Sequence, residues 1–419
     1  MVSRFLTYMT RRAGSSFLDL HMEDGADLPR ELMRESAPDA GKASLYVHIP
    51  FCKALCPYCS FNRYLFEEET ARRYFQNLRR ELELYLQEGY VFSSIYFGGG
   101  TPTVLVDELL DFIGYLHANL DVRDISLETN PGDVTAENVR LLKDAGVKRL
   151  SIGVQSFDKQ MLEKMGRASP HGDELVEQIS LARGVFDTLN VDLIYNLPFQ
   201  SLEGFQEDVA IFKGLDIEQV TFYPLMPSPQ TATALQRRFN RVDTSRERRF
   251  YDIVLREMRS AGYTASTAWC FSRGPRIIDE YIVDYDDYVG IGSGSVSLWN
   301  GVFYVNSFAP QRYGEYLGNG SFPVIGWRRL SDAEAMRYYL LTKLFGTRLD
   351  KAAFKARFGD DIHHRLWKEA LFLRLAGAVG ERDGALRPTE RGMYYVSGMM
   401  REFFTALNAL REYCRRNRL

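Results

Sequence analysis

Three cysteines crowd into one short stretch, Cys52-x3-Cys56-x2-Cys59, with Pro50 just before it and Pro57 inside it. The other two, Cys270 and Cys414, stand alone. Thiolates are soft ligands, and three on one loop can hold one metal centre. A structural zinc site wants four ligands, commonly in two separated pairs, and neither a second pair nor a nearby histidine completes such a set here. A disulfide would strand the third thiol. An iron–sulfur cluster is held by cysteine thiolates, and three ligands to four irons leave one iron open to a substrate or cofactor. The plain alternative is a coincidental grouping of buried cysteines.

Such a loop needs rigid elements to present it. Short β-rich runs recur at 45–49, 94–97, 125–128, 149–154, 189–195 and 220–223, with helix-like stretches between most of them. In residues 70–88, Tyr74, Leu78, Leu82 and Leu86 recur every fourth residue and Gly89 supplies a stop; residues 135–145 end likewise at Gly146. About six such alternations predict an α/β fold of parallel βα units, either a doubly wound sheet or a complete or partial (β/α) barrel. In either, chemistry gathers at the C-terminal ends of the strands. Those ends carry His48 to Cys52, Gly98-Gly99-Gly100-Thr101, Glu128-Thr129-Asn130, Gln155-Ser156, Asp192 and Pro224-Leu225-Met226. Polar and glycine-rich residues thus stand where a barrel active site needs them.

Past residue 230 the rhythm weakens. Residues 246–261 read as a helix and 263–269 as a strand, while Gly290, Gly292 and Gly294 mark tight turns or close backbone approach. Residues 332–345, 350–357, 362–376 and 391–416 read as helices, with 384–389 a short wing. The chain therefore divides into an N-terminal extension (1–43), a βα core (44–235), a further extension (236–329) and a helical, winged-helix-like C-terminal domain (330–419). Arg4, Arg11 and Arg12, followed by Asp19, Glu23, Asp24 and Asp27, give the first segment the character of a lid or packing arm rather than a targeting peptide.

The 419 residues carry a net charge of −3, with 45% hydrophobic and 26% charged residues, which excludes wholesale disorder. Bulk charge gives no reason to expect nucleic acid as a partner; Arg411, Arg415, Arg416 and Arg418 are interrupted by Glu402 and Glu412. No apolar run approaches the ~18 residues of a membrane span. Few cysteines, odd in number, point to a reducing cytoplasm.

The Cys-x3-Cys-x2-Cys spacing, with Tyr58 before the last cysteine, resembles the radical S-adenosylmethionine (SAM) superfamily. The stretch from Leu45 to Cys52 resembles the subgroup of the oxygen-independent coproporphyrinogen III oxidase and its relatives. Further matches follow in order: Phe97 to Thr103, Glu128 to Gly132, Ser151 to Phe157, Gly166-Arg167, and Val191 to Pro198. The likeness is strong over 44–300 and weak in the tail. It implies that Cys52, Cys56 and Cys59 bind a [4Fe-4S] cluster whose fourth iron chelates SAM. By the same likeness, Tyr58 contacts the adenine through its backbone, and Gly99, Gly100 and Thr101 form a wall beside the SAM amino group. Glu128 and Asp192 accept hydrogen bonds from the cofactor, Gln155 binds the ribose region, Arg167 pairs with the SAM carboxylate, and Tyr46 lies near the cluster and the reacting centre, a candidate catalytic residue. A structural Glu128–Arg167 ion pair, a strand-facing Tyr46 and a satisfied core His48 are the duller readings. The resemblance also implies a tetrapyrrole substrate, a low-potential electron donor such as flavodoxin or ferredoxin, and reductive cleavage of SAM that leads to hydrogen abstraction. In that scheme residues 236–329 lie on the substrate side.

Two departures stand out. Ser60-Phe61-Asn62 replaces the glycine and fourth cysteine of the oxidase and is closer to the heme-chaperone branch. Residues 277–289 hold Asp279, Glu280, Asp284, Asp286 and Asp287, charges that would oppose a poly-carboxylate substrate. Three functions therefore stand open: an enzyme acting on a tetrapyrrole by decarboxylation or ring opening, a methyltransferase using a second SAM, and a non-catalytic heme-binding chaperone. Met226, Tyr223, Trp269, Cys270, Tyr285 and Trp299 are candidate contacts to adenine or to a planar substrate.

Overall fold

The computed structural model describes residues 10–12, 14, 18–22, 25–35, 43–167, 169–239, 245–274 and 281–419. Asp279 and Glu280 lie outside them, as do most of the first seventeen residues. Six parallel strands come in chain order: β1 (Ser44–Ile49), β2 (Ser94–Gly99), β3 (Asp124–Thr129), β4 (Arg149–Gln155), β5 (Thr188–Tyr195) and β6 (Gln219–Pro224). Their side chains are buried on nearly every position, as expected of strands covered on both faces. The α/β class expected from the alternation is what forms.

The crossover after β1 is α1 (Glu68–Gln87), which buries Tyr74, Phe75, Leu78, Leu82 and Tyr85. Tyr85, not Leu86, closes this stripe. A strict spacing of four overshoots the helical repeat of 3.6, so the apolar face slips back by one residue after three turns.

Residues beyond β6 lengthen the sheet at both edges. β7 (Thr264–Ala265) and β8 (Cys270–Ser272) add antiparallel strands beside β6. The single strand expected over 263–269 breaks because the amides of Ser266 and Thr267 both donate to the Cys270 carbonyl and fold the chain into a turn. On the other side β9 (Tyr288–Ile291) pairs parallel with β1, and β10 (Val296–Trp299), β11 (Val302–Asn306) and β12 (Val324–Arg329) continue antiparallel. The twelve strands thus run β12-β11-β10-β9-β1-β2-β3-β4-β5-β6-β8-β7, an open order whose parallel centre includes β9 besides the six expected strands. His21 exchanges backbone hydrogen bonds with Trp327, so part of the N-terminal segment covers the β12 edge.

The glycines after β9 mark close approach. A Cβ on Gly292 (φ 98°) would meet the His48 carbonyl oxygen at 2.5 Å, and one on Gly294 would meet the Asn62 amide at 2.4 Å. Asn62 donates to the Ser293 carbonyl, so the residues just after the cysteines are tied to this turn. Glu81 of α1 braces it from behind: its carboxylate accepts from the Gly292 amide (2.7 Å), Asn306 (2.6 Å) and the Tyr313 hydroxyl (2.6 Å).

The C-terminal part consists of α2 (Asp332–Phe345), three short helices, a three-stranded sheet containing the expected wing, and α3 (Glu390–Arg416). A capping box of Ser331 and Glu334 starts α2. Helix α3 lies against the strand ends: Ser397 receives the Trp269 indole N–H at 2.9 Å and bonds the Tyr195 hydroxyl at 3.2 Å, and Asn408 donates to the Met226 carbonyl at 2.7 Å. No helix among the described residues is long and apolar enough to cross a membrane.

Burial pushes the Glu81 carboxyl up to about 7, against the three donors that hold it down. A carboxyl with a folded pKa above its ordinary 4.5 contributes fully at low pH and loses that contribution as pH rises toward 7. The shift corresponds to a loss on the order of 3 kcal/mol. Denaturant titrations of the wild type should therefore show stability falling between about pH 5 and pH 8, and Glu81→Gln should flatten that slope. Identical slopes in the two proteins would refute the assignment.

Candidate functional site

The cysteine loop leaves β1 through Pro50 and is tied down along its length. Phe51–Cys52 pairs in parallel with Tyr64–Leu65, and the Phe66 amide donates to the Cys52 carbonyl at 2.9 Å. The Arg63 guanidinium donates to the carbonyls of both Cys56 and Cys59, and Lys53 reaches Asp133 at 2.6 Å. Ser60 accepts from the Ser228 amide, and the Asn62 side chain donates to the Ser293 and Phe308 carbonyls, so Ser60 and Asn62 of the departure serve to anchor the loop.

Behind the loop stand the three glycines at the end of β2. A Cβ on Gly98 would lie 3.0 Å from both Glu128 and Tyr46, and one on Gly99 (φ 122°) 2.8 Å from the His48 ring. On Gly100 it would lie 2.7 Å from the Phe51 carbonyl oxygen and 2.9 Å from its nitrogen. At Gly100 the backbone next to Cys52 passes too close for any side chain, while Gly98 and Gly99 leave room for the Glu128, Tyr46 and His48 side chains. Thr101 donates weakly to the Cys52 sulfur at 3.6 Å and accepts from Asn130 at 2.6 Å.

All three cysteines, free of disulfides, line one cavity of about 210 Å³. Tyr58, Gly99, Gly100, Glu128, Gln155, Arg167 and Asp192 share its wall, while Thr101 touches it through Cys52 and Asn130. Glu128 accepts from the Tyr96 hydroxyl at 2.9 Å and the Gly99 amide at 3.2 Å; Asp192 accepts from Ser151 and Asn190. Gln155 sits at a β-bulge with φ 75°, a left-handed backbone uncommon outside glycine. Arg167 donates to Asn130 (2.9 Å) and the Gly153 carbonyl and approaches the Tyr58 hydroxyl (3.4 Å) and the Cys56 sulfur (3.8 Å). It does not pair with Glu128.

The chemistry of the cavity suits an anionic cluster and a carboxylate-bearing cofactor. Arg63 and Arg167 each keep a buried Nε without a partner, and neither is ion-paired to a carboxylate among the described residues. Burial pushes the Cys52 thiol up to about 11, a cost that metal coordination reverses by taking the proton's place.

A second cavity of about 110 Å³ adjoins the first, sharing Phe61, Glu128, Tyr223, Met226 and Phe404. Tyr46 belongs here rather than in the cysteine cavity, with Trp269, Tyr281, Tyr288 and Tyr338. Its ring stacks on Tyr281 at 5.4 Å, and its hydroxyl meets His48 Nδ1 at 2.9 Å. His48 is a satisfied core histidine: its other nitrogen meets the Asn62 carbonyl at 2.9 Å, and burial lowers its pKa to about 4, so the ring is neutral. Of the candidate contacts to adenine or a planar substrate, Tyr223, Met226 and Trp269 reach the paired cavities, whereas Tyr285 lines a third one and Trp299 packs on Tyr90. Of the acidic segment's described residues, Asp284, Asp286 and Asp287 line neither of the paired cavities. Asp286 is held by Lys343 and Arg357, and Asp287 by Arg357, at the third cavity.

Asn130, Arg63 and Arg411 were missed as site residues. Asn130 lies inside the Glu128 to Gly132 stretch and Arg63 four residues past the last cysteine. Arg411 was read as part of a basic tail, although it follows Met400, Phe403, Phe404 and Leu407 on the apolar face of α3.

A family model for the radical SAM superfamily matches residues 46–211. The chain is 28% identical over 364 residues to the heme chaperone HemW of Bacillus subtilis (strain 168), covering 84% of this chain and 94% of that one. It is 30% identical over 273 residues to HemW of Lactococcus lactis subsp. lactis (strain IL1403), covering 63% and 71%. In fold it is similar to the coproporphyrinogen III oxidase HemN of Escherichia coli, a radical SAM enzyme, with a TM-score of 0.78 at 21% identity over 92% of this chain and 95% of that one.

The fit at Gly100 leads to a direct test. Anaerobic reconstitution of Gly100→Ala should give much less bound iron and sulfide per chain than wild type, because backbone at 2.7 Å cannot yield. Gly114→Ala, where a Cβ meets nothing within 4 Å, should load fully. Equal loading of both would show that this contact does not place the loop.

Proposed function

The chain belongs to the radical SAM superfamily, which uses a [4Fe-4S] cluster and SAM, and from that premise we propose that it is an enzyme that cleaves SAM to act on a tetrapyrrole. The observation that carries this reading is the pair of adjoining cavities, one lined by the three cysteines and one by aromatic rings, with Glu128, Met226 and Tyr223 in the wall between. When bound, the cluster and SAM supply a carbon-centred radical able to take hydrogen from an unreactive carbon.

The chain's own residues hold and shield. Cys52, Cys56 and Cys59 are assigned as cluster ligands. Arg167, whose guanidinium lacks a carboxylate, is assigned to the SAM carboxylate, which a planar fork grips through two hydrogen bonds. Glu128, Asp192 and Gln155 offer acceptors to the amino and hydroxyl groups of the cofactor, and the wall formed by Gly99, Gly100 and Thr101 lets it approach the backbone. Tyr58 packs among Met161, Met165, Leu197, Leu225 and Leu235, which keeps that side of the loop dry. Tyr46, Tyr281 and Trp269 enclose the reacting edge of the substrate and exclude water from it. A recess of about 110 Å³ takes one edge of a tetrapyrrole, not the whole macrocycle. We assign the chain to the cytoplasm, where free thiols persist, with a low-potential electron donor such as flavodoxin or ferredoxin.

A second reading, heme binding without turnover, is favoured by the relatives named heme chaperones. The protein should be reconstituted anaerobically and given SAM and a strong reductant. Formation of 5′-deoxyadenosine, increased by a tetrapyrrole, supports the enzyme; tight heme binding without it supports the chaperone. S-adenosylhomocysteine as a further product would indicate methyl transfer. Cys56→Ala should lose both the brown cluster absorbance and SAM cleavage; retention of the full cluster would refute the ligand assignment. Arg167→Lys should raise KM for SAM by about tenfold or more while changing kcat less, since it removes a bidentate contact made in ground and transition states alike.

A further inference from the structure

Arg411 presents a buried cation with no carboxylate counterion among the described residues. It lies on the inner face of α3 and is only 7% exposed. Its Nη1 donates to Asn408 at 2.9 Å, its guanidinium carbon stands 5.1 Å from the centre of the Phe61 ring, and its Nε is buried without a hydrogen-bond partner. No carboxylate among the described residues forms an ion pair with it. The one carboxylate in the same cavity wall, Glu128, receives the Tyr96 hydroxyl and the Gly99 amide instead. An arginine keeps its charge in a protein, so burying it without a carboxylate is costly, and an anion seated beside it recovers that cost. Burial acts in the same direction on its pKa, lowering it.

The surroundings narrow the anion. Tyr46, Trp269, Tyr281 and Tyr288 wall the recess with apolar ring faces, which suit a flat unsaturated ring. The guanidinium fork offers paired donors that match the two oxygens of a carboxylate. We infer that Arg411 anchors a carboxylate side chain of the substrate, holding one carboxylate-bearing edge of a planar ring system in the recess beside the cysteine cavity. This rests on the tetrapyrrole reading and adds to it the point of attachment. Arg411 thus sets which edge of the macrocycle faces the cofactor.

The test uses the anaerobically reconstituted holoprotein and two metal-free probes, mesoporphyrin IX and its dimethyl ester, titrated by porphyrin fluorescence. Metal-free rings remove any contribution from iron ligation by a thiol. Wild type should bind the free acid roughly 10- to 100-fold more tightly than the ester, the range expected of a charge-assisted hydrogen-bonded pair. Arg411→Met should abolish that preference by weakening acid binding while leaving ester binding nearly unchanged. Arg411→Lys, which keeps the charge, should retain much of it. An Arg411→Met protein that still prefers the acid as wild type does would overturn the inference, as would equal losses for acid and ester, which would mean that the arginine merely balances the nearby cluster. If wild type binds both probes equally, the anchor is wrong while the tetrapyrrole reading survives. If wild type binds neither, both fall together.

Discussion

The site depends on how closely two strand ends approach. Gly98, Gly99 and Gly100 bring the end of β2 against Tyr46, His48 and Phe51, at distances a single methyl group would violate. That contact places Cys52 at the mouth of the sheet and lets the rest of the loop fold back under Arg63. The same closeness recurs on the other flank, where Gly292 meets the His48 carbonyl and Gly294 meets Asn62. β1 is thus clasped by backbone from both neighbours, and Glu81 braces the second clasp through α1. In a close-packed interior, such contacts fix position more firmly than flexible side chains could.

Much of this was legible beforehand. The six strand runs were found within a residue or two, because buried parallel strands are continuous apolar stretches that end in polar or glycine-rich turns. The cysteine spacing and glycine triplet were visible because their residue types are scarce and their functions narrow. β9 was not, since it is short and its partner β1 lies more than two hundred residues earlier, so no local pattern announces the pairing. The break at Ser266 escaped for a similar reason: a turn made by two amides on one carbonyl leaves no compositional trace. Residues from Ser60 to Asn62 looked like a departure from a motif, and only the fold gives each of them a task.

Charge was the hardest feature to read. Linear sequence joined Arg411 to Arg415 and Arg416 and joined Asp284 to Asp286 and Asp287. Folding separates the first group, turning Arg411 inward while Arg415 and Arg416 stay exposed. In the second group it pairs Asp286 and Asp287 with Lys343 and Arg357, some sixty to seventy residues further along the chain. Formal charge along a chain says little about potential inside a cavity, because ion pairs form between segments distant in sequence.

Gln155 carries a further meaning. A glutamine held at φ 75° costs the fold of order 1 to 3 kcal/mol that glycine would not. The position is therefore one where thermodynamic optimisation and performance pull apart: replacing Gln155 with glycine would relieve the strain and forfeit an amide in the wall it shares with Asp192 and Arg167. Efforts to harden this protein by replacing its strained residues would meet their first trade-off there.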